Sequence, residues 1–205
     1  MSMFHASGME SGHIVLLDIS SLKKERVLRG HPSAVSALAW SRPVLASGSQ
    51  SPAIVTYDVR LSSNRIVTSQ LTGHGDEVCG LDWTSPVFDS VTNLASGDNS
   101  GYGLVWDARS RQAVLEFRHL AAIKALSWNP YHPRELASAG GYRDGTIKVW
   151  DTATAGLIAT RNTFSQVSTP LFKFSCNTLA TPTDIPLGLV HYLTTYLDNP
   201  RSIKD

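Results

Sequence analysis

"TGHGDEVCGLDW" (72–83) sets a Gly-His pair ahead of a Val and ends on a Trp nine residues after the histidine. The same frame returns as "RGHPSAVSALAW" (29–40) and, without its Gly, as "RHLAAIKALSW" (118–128). His31, His74 and His119 are 43 and 45 residues apart, and Trp40, Trp83 and Trp128 keep the same two intervals. A second series closes each unit: "LLD" (16–18), "TYD" (56–58), "VWD" (105–107) and "VWD" (149–151). Between the two sits a third phrase, "LASGS" (45–49), "LASGD" (94–98) and "LASAG" (136–140). Three registers in step make this a tandem repeat, and a period of this length takes precedence over other fold signals.

Each unit reads as strands. "AVSALAW" alternates Val35, Ala37 and Ala39 against Ser36, Leu38 and Trp40, and "VCGLDW" and "IKALSW" follow the same period of two. "TIKVWD" (146–151) is rich in β-branched residues, and "RDG" (143–145) before it signals a hairpin turn. With GH and WD dipeptides at this period, residues 10 to about 162 resemble the WD-repeat family. The resemblance implies an all-β fold, a β-propeller of four-stranded blades. The expected organisation is a lead-in over 1–9, closing strands of a partial blade over 10–29, and fuller units over 30–72, 73–118 and 119–165. A non-repeat tail over 166–205 follows, so the propeller is incomplete.

In the WD-repeat family the GH histidine, a strand Ser or Thr, a turn Asp and the WD Trp form one hydrogen-bonded chain. His119, Ser138, Asp144 and Trp150 match all four places. His74, Ser96 and Trp106 match three, with Ser100 where the Asp belongs. His31 and Ser47 match two, with Ser51 and Tyr57 in the other places. Only the third network is expected to be complete. Because the trio recurs once per repeat, it reads as structure rather than as a hydrolase triad or zinc site, and neither G-x-S-x-G nor H-E-x-x-H occurs.

Charge excludes other classes. Lys and Arg number 18 against 17 Asp and Glu, and no basic run exceeds "KKER" (23–26), so neither nucleic acid nor an acidic membrane is an expected partner. The run "IVLL" (14–17) is too short to span a bilayer, and "MSMFHASGMESGH" lacks a signal pattern. Cys79 and Cys176 have no CxxC spacing and suit a reducing compartment. The expected location is nucleus and cytoplasm, with no metal, no cofactor and no catalytic role.

Finer phrases narrow the resemblance. "SALAWSRPVLASGSQS" (36–51), "YDVRLSSNRIV" (57–67), "TGHGDEVCGLDW" and "KALSWNPYHPRELASAGGYRDGTIKVWD" (124–151), then "SQVS" (165–168), keep the order and spacing of the Fizzy and Fizzy-related activators of the anaphase-promoting complex. The resemblance implies a substrate-recruiting activator subunit of that ubiquitin ligase, serving mitosis or meiosis. Its partners would be the complex and degron-bearing cell-cycle proteins. In that family asparagines in one turn read the KEN degron, and here that turn is "SGDNSGYG" (96–103). By resemblance Asn99 and Tyr142 are the first candidates for peptide contact, followed by Asp98, Gln50 and Arg143. Tight turns use the same residue types for their own geometry, so an interaction scaffold or a decoy fragment stays open as an alternative.

The pattern stops after "SQVS". Residues 169–205 carry no GH, WD or LASG phrase, and Pro170, Pro182, Pro186 and Pro200 punctuate them. They read as a divergent tail, either a genuine end or, the favoured expectation, translated intronic or frame-shifted sequence. The family's D-R-[FY]-[IV]-P box and Ile-Arg ending are not found, and the chain by itself is expected not to activate a ligase.

Overall fold

The computed structural model describes residues 4–41, 43–62, 66–84 and 92–163. "SQVS" and the tail lie outside the described residues. The first sheet holds β1 (Phe4–Gly8), β2 (His13–Asp18) and β3 (Lys23–Arg29). The second holds β4 (Val35–Ser41), β5 (Val44–Ser49), β6 (Ala53–Asp58) and β7 (Val67–Thr72). The third holds β8 (Val78–Trp83), β9 (Asn93–Asp98), β10 (Tyr102–Asp107) and β11 (Gln112–Arg118). The fourth holds β12 (Ile123–Trp128), β13 (Glu135–Gly140), β14 (Thr146–Asp151) and β15 (Gly156–Asn162). Within each sheet the strands pair antiparallel in chain order. β4 packs beside β8 and β8 beside β12, so the sheets stand as blades around a shared inner edge.

The lead-in expected over 1–9 is corrected: residues 4–8 form β1, and the first sheet has three strands rather than closing strands alone. "HASG" (5–8) is the LASG phrase with His5 in place of Leu. β1 packs against β4 as β5 does against β8 and β9 against β12. It is therefore the second strand of its blade, and no strand lies inside it among the described residues.

The repeated phrases explain the packing. A Cβ on Gly8, Gly48 or Gly97 would stand 2.8, 2.6 or 2.5 Å from the side chain of Val35, Val78 or Ile123, so the glycine of the ASG phrase lets the next sheet close in. Apolar cores then form between neighbouring sheets. Ile14, Leu45 and Tyr57 join the first two, Ile54, Leu71, Val78 and Trp106 the second and third, and Ala95, Phe117, Ile123 and Leu136 the third and fourth. Hydrogen bonds cross the same seams. Trp83 Nε1 donates to the Ala39 carbonyl at 3.2 Å and Trp128 Nε1 to the Asp82 carbonyl at 3.1 Å, each one residue before the preceding sheet's Trp. Ser36 Oγ donates to the Val78 carbonyl at 2.8 Å, and Cys79 Sγ reaches the Ile123 carbonyl at 3.4 Å. Cys79 thus sits at a seam, and burial pushes its thiol up to about 11, away from thiolate chemistry.

The aspartates that end β2, β10 and β14 close the outer hairpins. Asp18, Asp107 and Asp151 each accept a backbone N–H two residues on and a hydroxyl three residues on, from Ser21, Ser110 and Thr154. In the second sheet Asp58 instead takes Arg60, through both its backbone and its guanidinium. Replacing Trp83 by Phe removes the bond to Ala39 and leaves a void in the seam. A loss of roughly 2–4 kcal/mol is expected, measured as a lower denaturant midpoint of the full chain.

Candidate functional site

The candidate site is the set of turns joining the second and third strands of the blades. These are the β5–β6 turn (50–52), the β9–β10 turn (99–101) and the β13–β14 turn (141–145). All three turns are tied down in one way. The N–H of Gln50, Asn99 or Gly141 donates to the carbonyl of Ala34, Glu77 or Ala122, just ahead of the innermost strand of its own sheet. The turns therefore stand at one end of neighbouring blades.

Beneath them lie the histidine networks. In the third sheet His74 Nδ1 meets Asp98 Oδ2 at 3.0 Å and Nε2 meets Ser96 Oγ at 2.6 Å, while Trp106 Nε1 donates to Ser96 Oγ at 2.8 Å. In the fourth His119 meets Asp144 at 2.6 Å and Ser138 at 2.7 Å, and Trp150 donates to Ser138 at 2.8 Å. One proton arrangement satisfies every group: the indole donates to the hydroxyl, the hydroxyl to Nε2, and Nδ1–H to the carboxylate. It requires a neutral imidazole. Burial holds His74 and His119 below the usual imidazole value, and the facing carboxylate only partly offsets this. Burial alone would raise Asp98 and Asp144, but the bonds they accept, from Ser100 and Thr146 first, hold both below the usual carboxylate range.

Two expectations are corrected. The third sheet's network is complete, because Asp98 at the end of β9 supplies the carboxylate that position 100 lacks; the Ser100 hydroxyl donates to Asp98 instead, at 2.7 Å. For the same reason Asp98 is not a surface contact residue. It is fully buried, accepting the backbone N–H groups of Ser100 and Tyr102 as well as His74. In the fourth sheet the matching strand end is Gly140, and a Cβ there would collide with the Asp144 carboxylate. One carboxylate volume is thus filled from two backbone positions. The second sheet fills it from neither. Ser49 stands at the matching place and bonds Ser51 at 2.8 Å, leaving His31 Nδ1 buried without a partner. His31 keeps its 2.6 Å bond to Ser47. Tyr57, in the Trp place, has a buried hydroxyl with no hydrogen bond of proper geometry; burial raises it, and the nearby Ser47 hydroxyl only partly counters that.

The networks leave the turn tips outside. Asn99, Gln50 and Arg143 are exposed and Tyr142 is 80% exposed. Their side chains make no hydrogen bond or ion pair among the described residues. The sequence reading missed Leu120, which is 83% exposed and whose N–H is held by Asp144 Oδ1 beside the Tyr142 turn. Its signal was present: an apolar residue follows His119, where Pro32 and Gly75 follow the other two histidines. Among the described residues no group of three or more His, Cys, Asp or Glu is placed to hold a metal ion.

Two outcomes follow. Gly140→Ala displaces Asp144 from His119 and is expected to cost about 2 kcal/mol, whereas Gly75→Ala, with open space around its Cβ, is near neutral; thermal unfolding reads both. The pH dependence has a definite sign. His31, His74 and His119 are all depressed in the folded chain, so below about 6.5 the unfolded chain binds more protons and stability is lost as the pH falls. Asp82, pushed up to about 6 by burial, takes its proton in the folded state and offsets part of that loss. The urea midpoint is expected to drop between about pH 7 and about pH 5.

A family model described as "WD domain, G-beta repeat" matches residues 111–151. The chain is 39% identical to Protein FIZZY-RELATED 1 of Arabidopsis thaliana over 175 residues, 85% of this chain and 36% of that protein. It is 41% identical to the anaphase-promoting complex subunit cdc20 of Dictyostelium discoideum over 166 residues, 79% of this chain and 32% of that protein. A chain in the crystal structure of the mitotic checkpoint complex superposes with a TM-score of 0.77 at 38% identity, covering 83% of this chain and 51% of that one. This chain therefore spans about a third of the length of the curated relatives it matches. Its strands form WD-repeat propeller blades, and these are similar in sequence and structure to those of the Fizzy-related and cdc20 proteins.

Proposed function

We propose that these blades are the degron-reading part of a substrate-recruiting activator of the anaphase-promoting complex, working in nucleus and cytoplasm and performing no catalysis itself. The observation that carries this reading is the identity of 39–41% to the Fizzy-related and cdc20 proteins, over 166 to 175 residues. The turns support it. Asn99, Tyr142, Gln50 and Arg143 project from one end of a scaffold whose third- and fourth-sheet histidine networks are paired internally, so their free donors and acceptors are available to a peptide. A short peptide captured on such a platform owes most of its affinity to a few anchoring bonds. Leu120 and the Tyr142 ring add an apolar shelf beside them.

The test is a titration of a labelled KEN-box peptide, and of its alanine-substituted form, against the full chain. Selective binding of the KEN form is expected, weakened about tenfold by Asn99→Ala, equivalent to about 1.4 kcal/mol. Equal binding of the two peptides would make the chain an interaction scaffold without a degron pocket.

A further inference from the structure

Away from those turns, the outer seams between blades differ in one respect. Across the first seam Arg26 of β3 reaches the Leu61 carbonyl at 2.8 Å. Across the third, Lys148 of β14 reaches the Arg118 carbonyl at 2.8 Å. Across the second seam, no side-chain hydrogen bond joins β7 to the third sheet among the described residues. Register supplies the reason. Arg26 pairs with Leu16 as Ser69 pairs with Thr56, so Ser69 of β7 occupies the place from which Arg26 bridges, and its side chain is too short to cross. Its hydroxyl turns instead to Thr56 at 2.6 Å.

The unbridged seam is a groove. It comprises cavities of about 170 and about 440 Å³ that share Leu71, Trp106 and Arg111. Leu71 and Trp106 belong to the apolar core and make its floor. Thr56, Thr68 and Ser69 give one part a hydroxyl lining. β7 contributes to both cavities and is the outermost strand of its sheet, with no neighbour beyond it among the described residues. Charge is uneven along the groove. Arg111, exposed on the β10–β11 turn beside Arg109, has no ion pair among the described residues, and the turn's own acid, Asp107, is already occupied by the Arg109 N–H and the Ser110 hydroxyl. Glu116 lines the larger cavity.

We propose that this groove binds an extended peptide that adds a strand to β7, seats an apolar side chain over Leu71 and Trp106, and places a carboxylate against Arg111. A free strand edge supplies main-chain hydrogen bonds and the cavity beside it supplies selectivity. Arg111, the cation among the described residues that line both cavities, with Glu116 to repel acid elsewhere, sets the charge of the occupant and its direction. The site is separate from the turns above and does not depend on their function.

The test uses a fluorescein-labelled peptide of alternating Thr and Val ending in Glu-Glu, and its Lys-Lys counterpart, titrated against the full chain by anisotropy. The acidic peptide is expected to bind, and the basic one to bind at least about tenfold more weakly. Arg111→Glu should reverse that preference. Ser69→Arg, which copies the first seam's bridge, should remove binding of both peptides while leaving the unfolding midpoint in place. No binding of the acidic peptide, equal binding of the two, or undiminished binding to a folded Ser69→Arg protein would overturn the proposal.

Discussion

A buried neutral imidazole that must find both a donor and an acceptor is the constraint on which the blades depend. His74 and His119 sit where neither ring nitrogen reaches water, and each of these blades brings a hydroxyl from its second strand, an indole from its third and a carboxylate from the end of the second strand or the turn after it. These groups come from the two middle strands and the connection between them, so satisfying one histidine fixes the relative height of those strands and of the segment that carries the histidine. A partly satisfied network is costly in a low-dielectric interior. The second sheet shows the effect. With Ser49 and Tyr57 in place of acid and indole, two buried polar atoms go unpaired, and the sheet relies on its apolar contacts with both neighbours.

This division of labour separates the groups that hold the blades from those left at the surface. The buried polar groups of the third and fourth sheets are paired within the blade, while seams are closed by Trp N–H groups and by glycines that admit the next strand. The residues left over are the turn tips at one end and the outer-strand side chains at the rim. Both are surfaces that the fold holds still without using them.

Much of this was legible in the sequence, and the failures have physical causes. The GH-to-Trp frames marked each innermost strand and the WD phrases each third strand, because those residues answer to hydrogen bonds rather than to propensity alone. β1 was overlooked because His5 replaces the Leu of its phrase, hiding a strand that Ala6, Ser7 and Gly8 still spell. Asp98 was misplaced because a linear comparison assigns the carboxylate to one position, whereas the cavity accepts it from the end of a strand or from a longer turn. The open seam could not be read at all. The difference between Arg26 and Ser69 has no meaning until the register of two outer strands is known.

The exchange between Asp98 and the pair Gly140 with Asp144 bears on how such repeats can change. The three residues describe one volume, so they are coupled in mutation as well as in space. A carboxylate added at 140 while Asp144 remains would force two acids into one cavity, and one removed from 98 would strand a histidine. Moving from one solution to the other also alters turn length, since three residues separate Asp98 from Tyr102 and five separate Gly140 from Thr146. Single substitutions therefore meet a barrier in either direction, and a lineage crosses it most readily through an insertion that brings the new acid with it. The exposed turn is lengthened in the same event, so a demand internal to the blade also reshapes its outer surface.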